Sequence, residues 1–70
     1  MDRNESKAFG KWLMNARWQR HVTMAQLSRI SSVPVGEIMR IEGGMGLAVG
    51  PTAEKLCQAL GVEWRKQHEE

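Results

Sequence analysis

The chain of 70 residues contains a single cysteine, Cys57. One thiol cannot form an internal disulfide, so cross-linking is excluded as a means of holding a small fold together. A lone cysteine points to a reducing, cytoplasmic setting and to a small buried side chain. No apolar run approaches the roughly 20 residues needed to cross a bilayer. The N-terminus also lacks the charged-then-apolar pattern of a secretory signal. No stretch alternates apolar and polar residues long enough to read as a strand. Internal repeats and low-complexity tracts are missing as well. Chemistry is equally sparse. His21, His68 and Cys57 have no metal-ligand spacing, no glycine-rich phosphate loop follows a strand, and no nucleophile sits beside a plausible base. The expectation is a cytoplasmic protein without metal, cofactor or catalytic activity. Charge excess is modest: the formal net charge is +2 and the pI is near 9.1. That permits nucleic-acid binding without demanding it.

What is present is helical periodicity, broken by turn residues into five segments of one all-α domain. The first runs from about Asn4 to Arg20. Phe9, Leu13 and Ala16 share a face with Trp12 beside them, and Asp2 with Glu5 offers a capping box. Met14 and Trp18 fall on the opposite side. They form a contact surface, or else the N-terminal arm or the C-terminal helix covers them. The second segment opens at Thr23, an N-cap whose hydroxyl accepts a backbone N–H. Leu27 and Ile30 are expected to face inward, and the segment ends near Ser31-Ser32. The third starts at Pro34, buries Ile38 and Ile41, and closes at Gly43-Gly44. A loop with apolar Met45, Leu47 and Val49 leads to a fourth helix at Gly50-Pro51. Its inner face is Ala53, Leu56, Cys57 and Leu60, and Gly61 stops it. A short fifth helix is expected around Trp64. Trp64 is a candidate for a dimer interface, or equally a cap on the core. A chain this short buries little apolar surface, so self-association as a homodimer would add stability.

Two short helices across a tight turn, at about residues 23–43, form the arrangement by which a helix is offered to the major groove. Leu27, Val33, Ile38 and Ile41 have the apolar spacing that locks such a corner. Phe9-Gly10, Leu13 and Arg17, then Val22, Thr23 and Leu27, extend the pattern. Ile38-Met39-Arg40-Ile41-Glu42-Gly43-Gly44 and Leu56-Cys57-Gln58-Ala59-Leu60-Gly61-Val62 complete it. On these residues the chain resembles, without a gap over Phe9 to Val62, the lambda-repressor-like (Cro/C1, or XRE) helix-turn-helix family.

The resemblance implies a compact five-helix DNA-binding domain and a buried ion pair between Arg17 and Glu42. It also implies a homodimer on duplex DNA, in which Thr23, Pro34, Val35, Gly36, Glu37, Met39 and Arg40 face the DNA. Arg20, His21, Arg29 and Lys55 are further phosphate candidates. The function implied is that of a sequence-specific transcriptional regulator, a repressor of the phage or mobile-element type binding a palindromic operator. The alternative is that the fold serves as a protein-interaction module that inhibits another regulator.

Departures from the family pattern are informative. Ser28 and Ser32 stand where alanine and the turn glycine are usual, so Ser32 requires a strained or altered turn. Met24 replaces a phosphate-gripping glutamine. Among the groove-facing positions, Glu37 and Arg40 are the two able to hydrogen-bond to base edges: Arg40 to guanine, Glu37 to cytosine. Direct readout is therefore sparse, and DNA shape and phosphate contacts are expected to contribute much of the selectivity.

Overall fold

The computed structural model describes residues 1–46, 48 and 50–64. Among these residues the protein is all-helical, with no strand: α1 (Arg3–Gln19), α2 (Met24–Ser31), α3 (Val35–Glu42) and α4 (Gly50–Leu60). No helix is long and apolar enough to cross a membrane. The helix α1 lies against α3, while α2 lies between α3 and α4. Phe9, Leu13, Leu27, Ile38 and Leu56 are the largest fully buried side chains, so every helix sends an anchor into one core. Burial of this kind is worth about 1.5–3 kcal/mol per large apolar side chain.

Local chemistry sets each boundary. Asp2 accepts from the Glu5 amide at 2.7 Å and caps α1. The reciprocal half of the expected capping box is not made. Thr23 caps α2 with a full box: its Oγ1 accepts from Gln26 N–H at 3.0 Å, and Gln26 Oε1 accepts from Thr23 N–H at 2.9 Å. Pro34 is the N-cap of α3, one position before the first helical residue. Gly44, at φ +74°, follows the end of α3, and Gly61, at φ +69°, follows the end of α4. Both glycines adopt the left-handed conformation that releases a chain from a helix.

Two expectations are corrected. Ile30 does not face inward: it is 59% exposed. Leu27 points to the core, and the residue a further four positions along, Ser31, takes the next inward place. In that place the Ser31 hydroxyl accepts the Val33 amide at 3.2 Å inside the corner, a buried bond that an apolar residue could not supply. The expected fifth helix is not formed at Val62, Glu63 or Trp64, and its remainder lies outside the described residues. After Gly61, the Val62 amide bonds back to Cys57 O at 3.0 Å, which turns the chain across the core. Trp64 then stands 5.4 Å from Phe9 and 5.2 Å from Trp12, centroid to centroid. Of its two expected roles, capping the core is the one seen in the monomer.

Candidate nucleic-acid interface

The α2–α3 corner is built from three consecutive residues. Ser31 is buried and bonds the turn; Ser32 adopts φ 65°, ψ 21°; Val33 is buried in the core. The left-handed Ser32 is the altered turn that its sequence position required, at about 1–2 kcal/mol relative to glycine. With Val33, Ile38 and Ile41 all buried, the opposite face of α3 is turned to solvent. Pro34, Val35, Gly36, Met39 and Arg40 are exposed there, and Glu37 is half-buried.

That face is more apolar than a DNA-reading surface requires. Val35 is 41% and Met39 57% exposed, and Met45 in the following loop is 63% exposed. Leu47, which belongs to the same loop, lies outside the described residues. The two groups able to read bases hold each other: Arg40 Nη2 donates to Glu37 Oε1 at 2.6 Å. This pairing places Arg40 across the helix surface, so a guanine would have to compete with Glu37 or be read jointly with it. Gly36 is open, with nothing within 4 Å of where a Cβ would stand. A glycine in a helix costs about 0.5–1 kcal/mol relative to alanine, and no packing contact among the described residues requires this one.

Beneath the corner, Arg17 and Glu42 meet as expected. The Arg17 Nε and Nη2 groups donate to the two Glu42 carboxylate oxygens, each at 2.8 Å, and Nη1 donates to Val22 O at 3.0 Å. Their side chains are 7% and 3% exposed. The hydrogen bonds that Arg17 donates to Glu42 raise the Arg17 pKa above its ordinary value, against desolvation, which pulls it down. One bidentate pair therefore ties the end of α1, the loop before α2 and the end of α3 into a single unit.

The remaining expected residues are distributed around this unit. Thr23 is exposed; its oxygen accepts the capping bond while its O–H can still donate, beside the first backbone amides, Met24 and Ala25. Met24 itself is half-buried. With Trp18, His21, Val22 and Thr23 it lines a shallow groove of about 400 Å³ beside the start of α2. Trp18 is 59% exposed and Met14 half-buried. Arg20 folds back toward Ala16 O at 3.4 Å. Arg29 and Lys55 are exposed, with Lys55 beside Ile30. Among the described residues no cluster of three or more His, Cys, Asp or Glu could hold a metal.

Sequence reasoning missed two elements of the scaffold. Ser6 is 3% exposed and its Oγ accepts from Ala48 N–H at 3.0 Å, pinning the loop after α3 onto α1. Gly10 lets the α1 backbone touch α3, since a Cβ there would fall 1.9 Å from Ile41 O. The glycine was visible within the Phe9-Gly10 pair; the serine had no signal in its neighbours. Comparison of the chain with protein-family models, with curated proteins and with solved structures finds no match.

Proposed function

We propose that this protein is a sequence-specific DNA-binding transcriptional regulator of the lambda-repressor-like helix-turn-helix type. On this reading it is a cytoplasmic repressor that binds a palindromic operator as a homodimer. One observation carries the reading: the corner in which Ser32 turns and Val33 locks α3 so that its outer face stands free. An α-helix is about 10–12 Å across with its side chains, so α3 suits a major groove about 12 Å wide. Arg40 and Glu37 then read base edges, Val35 meets a thymine methyl, and Gly36 admits close backbone approach. The start of α2 offers backbone amides and the positive end of its dipole to a phosphate.

The test is binding to duplex DNA from upstream of the protein's own gene, over a range of salt. A DNA regulator shows affinity that falls steeply with salt, and Arg40→Ala weakens specific binding by about 1–3 kcal/mol. Absence of duplex binding above the non-specific level at low salt ends the reading. A second reading, a protein-interaction module that inhibits another regulator, is favoured by the exposed Val35, Met39 and Met45 and by the Arg40–Glu37 pair. It predicts a stoichiometric protein partner whose binding depends on Val35 and Met39 and responds little to salt.

A further inference from the structure

Arg3, Lys7 and Lys11 recur every fourth residue along α1 and form one exposed column. The column is unfavourable for the helix taken alone. Like charges one turn apart repel, and Arg3, a cation in the first turn, opposes the helix dipole. No carboxylate among the described residues forms an ion pair with any of the three; Glu42 is taken by Arg17 and Glu37 by Arg40. Lys7 and Lys11 stand beside the C-terminal end of α3, where with Ala8, Glu42, Gly43 and Gly44 they line a groove of about 460 Å³. Glu42 does not neutralise them, because its carboxylate is turned inward onto Arg17 and is 3% exposed. The Lys7 stem lies against Gly44, its Cγ 3.2 Å from where a Cβ would stand. The segment that follows α3, residues 43–50, carries no charged side chain. Arg40, in the last turn of α3, is paired with Glu37, so the unpaired positive charge beside the turn after α3 is supplied from α1.

We infer that Lys7 and Lys11, extended by Arg3, bind the sugar-phosphate backbone of duplex DNA flanking the groove that α3 enters. The inference rests on the DNA reading above and adds to it a phosphate contact made by the first helix. Two lysine ammonium groups on flexible stems, beside a turn of two glycines, fit a polyanion followed by its charge rather than by its sequence.

The double variant Lys7→Gln/Lys11→Gln tests it. Glutamine keeps the Cγ that lies on Gly44 and removes the charge. The salt dependence of duplex binding is measured for the wild type, this variant and Lys7→Arg/Lys11→Arg. The glutamine variant is expected to lower the slope of log K against log salt by about two. At 0.1 M salt it should lose on the order of fiftyfold in affinity by reduced counterion release. The loss should be equal on the operator and on random duplex, and the arginine variant should restore the slope. The glutamine variant should melt at or above the wild-type temperature, since a repulsion is removed. An unchanged slope, or a loss confined to the operator, overturns the inference while leaving the DNA reading intact. A lowered melting temperature together with a slope that arginine does not restore also overturns it, because the lysines would then be packing residues. If the wild type binds no duplex at all, the DNA reading itself has failed, and the failure is seen before any variant is made.

Discussion

The same substitution, glycine to alanine, should have opposite effects at two positions of this protein. At Gly10 the added Cβ would fall 1.9 Å from Ile41 O and 2.9 Å from Ile41 C. Both are backbone atoms, so no rotamer change relieves the contact. Real Cβ contacts are essentially never under 3.0 Å, so α1 and α3 would have to separate by about 1 Å. Strain of this kind typically costs about 1–3 kcal/mol. The displaced residues adjoin Glu42, whose two 2.8 Å bonds to Arg17 would also loosen. Helix propensity offsets about 1 kcal/mol of the loss. Strain less propensity leaves up to about 2 kcal/mol, and the loosened pair adds about 1 kcal/mol, so the net expectation is a destabilisation of about 1–3 kcal/mol, against a total of about 4–10 kcal/mol for a domain of this size. The melting temperature should fall by roughly 5–20 °C, at about 4–8 °C per kcal/mol. At Gly36 nothing lies within 4 Å of the new Cβ, so propensity acts alone and stability should rise by about 0.5–1 kcal/mol. Thermal and urea melts followed by far-ultraviolet circular dichroism would measure both. A Gly10→Ala variant that melts at or above the wild-type temperature would refute the close-approach argument. If the proposed function holds, Gly36→Ala should weaken DNA binding while it stabilises the fold.

The buried ion pair gives a second expectation: Glu42→Gln or Glu42→Ala should cost about 3–5 kcal/mol by stranding Arg17, while the paired replacement Arg17→Met/Glu42→Leu should cost much less. A double-mutant cycle of urea midpoints reads the difference, and additive losses would count against the pair acting as one unit. Ser32→Gly should stabilise the protein by about 1 kcal/mol because φ 65° is then unstrained; a loss in melting temperature would show that the serine side chain contributes something the geometry does not reveal. Burial pushes the Cys57 thiol pKa up, more than an N–H of Trp64 draws it down, with Glu54 and Glu63 adding to the rise. A folded pKa above the unfolded one means stability is complete below the unfolded value, about 8.5, and declines as pH rises toward the folded value. Wild type should therefore lose stability faster than Cys57→Ala above that pH, and parallel pH profiles would exclude the linkage.

Much of the scaffold is legible along the chain because its determinants are local. Thr23 and Asp2 announce helix starts, Gly44 and Gly61 announce ends, and the spacing of Phe9, Leu13, Leu27, Val33, Ile38, Ile41, Leu56 and Leu60 marks the inward faces. The altered turn at Ser32 follows from the family resemblance, which puts glycine at that position. The ion pair between Arg17 and Glu42, separated by 25 positions, was reached through family resemblance and not through periodicity. Where periodicity alone was used at the edge of a stripe, as for Ile30, it failed: an angular step of one residue decides burial there, and hydropathy does not carry that resolution.

The sequence alone determined a small all-helical domain with one tight corner; of the five helices it led us to expect, four are present among the described residues. It could do so because helix caps, turn glycines and apolar spacing act between residues a few positions apart. Only the tertiary structure decided that Glu37 and Arg40 hold each other, and that Ser6 anchors Ala48 across 42 positions. It likewise decided that Gly10 lies on Ile41, that Trp64 closes over Phe9 and Trp12, and that the lysines of α1 stand beside the uncharged turn after α3. These depend on side-chain direction and on the distance between helix axes, which are set when several helices settle against one core.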